Sequence, residues 1–171
     1  ILCRVYQHLF KRTTSKGRME KTVFRREDRG ENAVAATAVR TRHEGYDHVQ
    51  LDGFVAPGDT PKDQANRALS FAGKFLNRYC DGQLSDVTMI RHYVRADLLP
   101  EAEAEIGEAC RDYFEPPELP GTVMVGVSDI VGGDHAVKME MEATIPHGES
   151  NIEVVELPPP PGYVTSDDRT E

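Results

Sequence analysis

The sequence predicts one α+β domain, in which two helices pack on one face of a mixed sheet. Two kinds of pattern predict this fold. Short segments in which apolar and polar residues alternate are typical of strands, and two longer segments have the spacing of helices. They follow one another as β-β-α-β-α-β-β. With 171 residues, of which 39% are hydrophobic, the chain can bury a core without disulfides or a metal.

The first two strands are predicted in residues 33–42 and 46–56, joined by His43-Glu44-Gly45. In the second, Val49 and Leu51 alternate with polar neighbours, as in a strand with one face on a core. We therefore expect a hairpin.

A helix is predicted to begin at Thr60, which can cap free amides, with Pro61 in the first helical position and Asp63 near the positive end of the helix dipole. Apolar residues then follow at helical spacing up to Tyr79. Asp81-Gly82 is the expected end.

The second half of the pattern contains a strand at 87–94, a helix stopped by Pro116 and Pro117, and two strands with alternating valines and methionines. The glycines at 132–133 indicate a hairpin between the last two strands. A phosphate-binding loop is disfavoured there because no helix follows the glycines.

Charge divides the chain into three parts. Residues 1–18 contain five basic residues and no acid, whereas residues 19–171 carry 15 bases and 29 acids, a net charge of −14. We expect 1–18 to be a basic extension outside the fold, with a targeting arm as the alternative, 19–149 to be the domain, and the proline-rich 150–171 to be an acidic tail. The acidic body disfavours binding to nucleic acid, and no apolar run is long enough to span a membrane.

The cysteines and histidines indicate neither disulfides nor a metal. Three cysteines are too few and too far apart for a disulfide framework, which predicts a reducing, cytoplasmic setting. The six histidines have no metal-binding spacing, so no metal site is expected.

The last strand carries the clearest functional signal. Its polar positions share the face opposite Val137, Met139 and Met141. These positions are Lys138, Glu140, Glu142 and Thr144. A charged sheet face of this kind must be wet or covered by another subunit.

Four segments in order resemble the reactive intermediate deaminase family, RidA or YjgF. They are LDGFVAPGDTPKDQANRALSF, GQLSDVTMIRHYVRADL, EIGEACRDYFEPPELPGTVMVGVSDI and HAVKMEMEATI. The resemblance implies a chorismate-mutase-like fold and a homotrimer with clefts between subunits. It also implies hydrolysis of enamines and imines to a keto acid and ammonia, without a cofactor.

The resemblance implies a role for Glu142, which matches the family's glutamate that positions water. We expect burial near a trimer seam to raise its pKa; the alternative role is an interface ion pair. Thr122 stands where family members have the arginine that binds the substrate carboxylate. Arg91 can compensate if its side chain faces the cleft, and is otherwise a salt-bridge residue.

Three weaker candidates complete the expected site. Gly53 matches a glycine that borders the family's cleft, with a bulge or tight turn as the alternative. Tyr46 and Phe54 are candidates for an apolar wall, although a single aromatic residue on a strand more often belongs to the core.

Two functions therefore remain open. One is an imine or enamine hydrolase of altered specificity. The other is a non-catalytic trimer that binds a small metabolite or a partner protein.

Overall fold

A computed structural model describes residues 5–14, 17–26, 37–116, 119–130 and 134–148. Seven strands, two α-helices and two short 3-10 helices, Leu84–Asp86 and Ala96–Leu98, make up this part of the chain. The strands are β1 Val5–Thr14, β2 Gly17–Arg26, β3 Ala38–Arg42, β4 Tyr46–Val55, β5 Val87–Arg95, β6 Gly121–Val127 and β7 Val137–Pro146. The α-helices are α1 Pro61–Cys80 and α2 Leu99–Arg111. This is the predicted α+β class, and no helix in these residues is long and apolar enough to cross a membrane.

The strands form one sheet in the order β1-β2-β3-β4-β7-β5-β6. Every pairing is antiparallel except that of β5 with β6, which is parallel. The predicted hairpin of β3 and β4 is confirmed.

The predicted hairpin between the last two strands is wrong. β7 lies between β4 and β5, and β6 is paired with β5. A helical crossover through α2 brings β6 alongside β5 in the parallel sense, as such connections require. Alternation and a glycine pair predict a strand and a turn, but they carry no information about which strand lies next to which.

The N-terminal region also differs from expectation. β1 pairs with β2 along its whole length, from Val5 opposite Arg26 to Thr14 opposite Gly17, whereas residues 1–18 were expected outside the fold. The boundary expected at Met19 falls inside β2. Charge predicts how a segment is solvated, but backbone N–H and C=O groups can pair whatever the side chains carry. The expected tail, 150–171, lies outside the described residues.

Both helices cover one face of the sheet. Phe24 of β2 is fully buried there, and its ring centroid is 5.3 Å from that of Phe75 on α1. From α2, Ala102, Ile106 and Ala109 join the same core. The opposite face of the sheet has no helix among the described residues.

The start of α1 is fixed as the sequence predicts. Thr60 caps it by accepting a hydrogen bond from the backbone N–H of Asp63 at 3.1 Å, and Pro61 occupies the first turn. One turn later the buried Gln64 accepts hydrogen bonds from the backbone N–H groups of Ala136, at 2.8 Å, and Val137, at 3.1 Å. This side chain ties the helix to the beginning of β7.

Candidate functional site

The candidate site lies on the sheet face that the helices leave open. Along β7 buried and partly exposed residues alternate strictly, which confirms that its polar residues share one face. β4 on one side of β7 and β5 on the other place further side chains on this same face. They are His48, Gln50 and Asp52 from β4, and Met89, Arg91 and Tyr93 from β5.

Glu142 and Arg91 form the centre of this face. The Arg91 Nη1 donates to Oε1 of Glu142 at 2.7 Å. On the other carboxylate oxygen, Oε2, the Nε2 of His48 lies 3.6 Å away. The parity of β5, which the sequence left open, therefore directs Arg91 to the glutamate and not to the helices.

Arg91 sets the charge state of Glu142 in the single chain. The hydrogen bond from Arg91 lowers the pKa of Glu142 below the usual range, although burial acts in the opposite direction. The nearby guanidinium outweighs desolvation here, and Glu142 is consequently ionised at neutral pH. The rise expected from burial at a trimer seam stays a prediction.

A second carboxylate cluster lies beside the first. Tyr93 donates its hydroxyl to Oε2 of Glu140 at 2.9 Å, and Lys138 donates to Oε1 at 2.8 Å. Burial raises the pKa of Glu140, but the hydrogen bonds from Lys138 and Tyr93 outweigh it and the net shift is downward. Glu140 is therefore also a carboxylate.

An open depression of about 170 Å³ runs between the two clusters. Its lining comes from β4, β5 and β7, and includes Gln50, Asp52, Arg91, Glu140 and Glu142. Three of these side chains are acidic and one is basic. The site therefore combines hydrogen-bond acceptors for water with a single guanidinium that can bind a carboxylate.

Gly53 lies next to this depression at a β-bulge in β4. The register between β4 and β7 shifts between Leu51 and Phe54, and Gly53 has φ of +58°. A Cβ atom here would lie 2.7 Å from Cε of Lys138. The bulge alternative is thus what the structure contains, and the glycine makes room for Lys138.

Thr122 does not join Glu142 within the chain. It lies opposite Ile90 in the register of β5 and β6, while Val123 lies opposite Arg91. Since Ile90 is fully buried on the helix side, Thr122 shares that side, and Val123 and Val125 share the open face. The position that the resemblance assigns to an arginine is therefore directed away from the depression.

The two aromatic candidates separate. Phe54 is buried against α1, with its ring centroid 5.1 Å from that of Phe71, so its expected place in a cleft wall is wrong. The bulge at Gly53 reverses the parity and turns Phe54 toward the core. Tyr46 lies on the open face and stacks on His43, with 4.8 Å between the two ring centroids. It is farther along β4 from Glu142 than His48 is.

Sequence reasoning missed His48 and Tyr93 as neighbours of the site, whereas Lys138 lies on the face of β7 where alternation predicts it. The signal for His48 was present, because it alternates with Val49 and so shares a face with Gln50. Nothing in the linear sequence placed that face beside Glu142. Within the described residues no group of three or more His, Cys, Asp or Glu side chains could hold a metal ion.

Comparison with solved structures relates this geometry to known folds. A member of the YjgF/YER057c/UK114 family from Mycobacterium tuberculosis matches with a TM-score of 0.57 and 23% identity, covering 82% of this chain and 100% of that one. RidA from the Antarctic bacterium Psychrobacter sp. PAMC 21119 matches with a TM-score of 0.56 and 19% identity, covering 68% and 92%.

The chain has the YjgF/RidA fold. A YjgF family protein from Neisseria meningitidis agrees, with a TM-score of 0.57, 18% identity, and coverage of 70% of this chain and 93% of that one. Searches with family models and with curated protein sequences give no match. The resemblance seen in the four sequence segments is thus confirmed at the level of the YjgF/RidA fold.

Proposed function

We propose that this protein is a RidA-like hydrolase of reactive enamine or imine intermediates with altered substrate specificity. The observation that carries the proposal is the 2.7 Å contact between Arg91 and Glu142 at the edge of an open depression. A carboxylate that orients water and a guanidinium that binds a carboxylate are the two groups that hydrolysis of an imino acid needs.

The chemistry assigns a separate task to each group. Glu142, ionised, accepts a hydrogen bond from water, whose oxygen attacks the imine carbon and forms a C–O bond. The proton released from water passes through Glu142 to the nitrogen and gives a carbinolamine, in which the carbon carries OH and NH2. The hydroxyl proton then passes through Glu142 to the nitrogen, the C–N bond breaks as the C=O bond forms, and the products are ammonia and a keto acid.

Arg91 supplies the substrate contact. Its guanidinium has five N–H donors, of which one contacts Glu142, so the others can bind a substrate carboxylate. The carboxylates of Asp52 and Glu140 also line the depression and oppose a further negative charge. This arrangement supports a specificity different from that of family members with a dedicated arginine.

The proposal is tested by mixing the purified chain with serine or threonine dehydratase and its substrate, and following keto acid formation. We expect acceleration, and a loss of about 100-fold in Glu142→Gln, the scale of general acid–base catalysis. Glu103→Gln, the same change at an exposed position on α2, is the matched control and should keep full activity.

A non-catalytic trimer that binds a small metabolite is the alternative function. The observation that favours it is that Arg91 and His48 already contact both oxygens of Glu142. It predicts metabolite binding with no acceleration for any imino acid, and equal rates for Glu142→Gln and the parent. Absence of acceleration for any imino acid would exclude the hydrolase, and equal rates in a chain that does accelerate would exclude the role of Glu142.

The proposal includes the assembly and setting that the resemblance implies. We propose a homotrimer with clefts between subunits, in a reducing cytoplasm, that requires no cofactor and does not bind nucleic acid. The two cysteines in the described residues are free, and burial raises the pKa of the Cys80 thiol to about 11, which supports their assignment as packing residues.

A further inference from the structure

The two oxygens of Glu142 face two different kinds of cation. Arg91, 2.7 Å from Oε1, is charged at every physiological pH. His48, whose Nε2 lies 3.6 Å from Oε2, adds a positive charge only when its imidazole is protonated. The negative charge of Glu142 can therefore be neutralised by Arg91, which is always charged, and by His48 when it is protonated.

Binding of an anion disturbs this balance. In the free chain the positive charge of Arg91 is opposed by Glu142, and Glu140 lies opposite it in the strand register. An anion that binds Arg91 adds a second negative charge beside Glu142. Unless another positive charge appears, repulsion between the two weakens the complex.

His48 is placed to supply that charge. Its neighbours across the sheet are Thr41 on β3 and Thr144 on β7, which are uncharged. On its own strand Tyr46 and Gln50 share its face, and beyond Thr41 the register places Lys21 of β2. Among the described residues, Glu142 is the acidic group within ion-pair distance of His48.

We propose that His48 is a specificity-determining residue that takes up a proton when a monoanionic keto or imino acid binds Arg91. The neutral imidazole accepts one proton from solvent, becomes an imidazolium, and pairs with Glu142 while Arg91 turns its donors to the ligand. The inference rests on the proposed function, since it concerns the same site, and it names the ligand class as monoanions that bind better at lower pH.

Glu142 is a carboxylate in the free chain over the relevant range. The Arg91 hydrogen bond holds its pKa below the usual value, so it is ionised between pH 6 and 8 before the ligand binds. Because Arg91 turns toward the ligand in the complex, a change in affinity is assigned to the imidazole when it disappears in His48→Gln.

The test is calorimetric titration of the full chain with pyruvate, a stable 2-oxo monoanion, at pH 6, 7 and 8. Each pH is measured in two buffers of different ionisation enthalpy, so that the difference in observed heat counts the protons taken up. We expect uptake of a fraction of one proton at pH 7 and binding roughly three- to tenfold tighter at pH 6 than at pH 8, as expected for two charges a few ångströms apart in a partly solvated site.

Two histidine variants make the result specific. His48→Gln should take up no proton and bind pyruvate equally at pH 6 and pH 8. His43→Gln, at an exposed position in the same hairpin, should behave like the parent. If His48→Gln fails to fold, as judged by circular dichroism, the buffer dependence of the parent and the variant His48→Asn decide.

The outcomes separate this inference from the proposed function. Pyruvate binding without proton uptake, in a chain that accelerates keto acid formation, overturns the role of His48 and leaves the hydrolase standing. Proton-coupled binding that is lost in His48→Gln, in a chain with no acceleration, supports the role of His48 and excludes the hydrolase. Absence of pyruvate binding at pH 6 overturns the inference.

Discussion

Gly53 shows how one residue can hold a functional side chain in place. Its φ of +58° is in the left-handed region, and the bulge there brings the Lys138 side chain across its Cα. Lys138 then reaches Glu140 at 2.8 Å and lies 5.2 Å from the centroid of the Tyr93 ring. Glycine is required at position 53 by the positive φ of the backbone and by the close approach of the Lys138 side chain.

Substitution of this glycine should be costly. Gly53→Ala strains the backbone and displaces Lys138, so we expect the free energy of unfolding to fall by about 1 to 3 kcal/mol. Urea denaturation of parent and variant measures this. Gly107→Ala, within α2 and in ordinary contact only with Arg111 at 3.6 Å, is the control and should be stabilising by up to about 1 kcal/mol. Equal midpoints for Gly53→Ala and the parent would contradict the account.

Individual site residues were only partly predictable from the sequence. Glu142 and its face follow from strict alternation along one strand, which needs no knowledge of neighbours. Even alternation places Phe54 on the open face, whereas the bulge adds one residue and turns it to the core, the alternative that is commoner for a single aromatic residue on a strand. The contact between His48 and Glu142 joins positions 94 residues apart, and side-chain period alone cannot supply such a pairing.

At the scale of elements, one buried carboxylate joins three strands at the same end of the sheet. Asp47 of β4 contacts Arg40 of β3 at 3.0 Å, Arg42 of β3 at 3.2 Å, and His147, just after β7, at 2.9 Å. Its side chain is 4% exposed. Burial raises the pKa of Asp47, but hydrogen bonds from Arg42 and His147 and the charge of Arg40 outweigh it, and the net shift is downward.

This contact predicts a pH-dependent contribution to stability. Because the pKa of Asp47 is lower in the folded chain than the ordinary value of 3.8, the stabilisation is present above pH 4 and is lost as pH falls through the folded pKa. We expect Asp47→Asn to lower the free energy of unfolding by about 2 to 4 kcal/mol at pH 7, with the difference shrinking below pH 4. Urea denaturation at pH 7, 5 and 3 measures it.

A surface ion pair provides the comparison. Asp134 pairs with Arg95 but is 99% exposed, so Asp134→Asn should change stability by less than about 0.5 kcal/mol at every pH. A loss for Asp47→Asn that is the same at pH 7 and pH 3 would show that lost packing, and not charge, is responsible.

The elements themselves were largely predictable, whereas their arrangement was not. Thr60, Pro61 and Asp81 mark the ends of α1 because capping and helix termination are local chemistry. The position of β7 between β4 and β5 depends on which strands pack side by side over the core. Alternation along β7 is equally compatible with this order and with a β6–β7 hairpin. The charge contrast at Met19 predicts a boundary there and gives no sign of β1 and β2, because strand pairing uses backbone groups.

At the scale of the whole molecule, the open face of the sheet predicts self-association. Val123 and Val125 on the edge strand β6 are 45% and 39% exposed, beside the polar cluster around Glu142. β6 is the last strand of the sheet among the described residues, and apolar residues at a sheet edge favour cover by another chain, which the trimer that the resemblance implies would provide. We expect native mass spectrometry to give about 57 kDa, three times the 19.0 kDa of one chain.

A charge placed on this face should break the assembly. Val125→Lys buries an unpaired ammonium group in the expected seam, so we expect it to shift the mass to that of one chain, because burial of an unpaired charge is unfavourable. Asn77→Lys, at an exposed position of α1 on the opposite side of the sheet, adds the same charge and should leave the trimer intact. A monomeric parent would contradict the trimer, and a Val125→Lys variant that stays trimeric would place the seam elsewhere. In the latter case the depression beside Glu142 would remain open to solvent, and loss of activity in Glu142→Gln would then have to arise within a single chain.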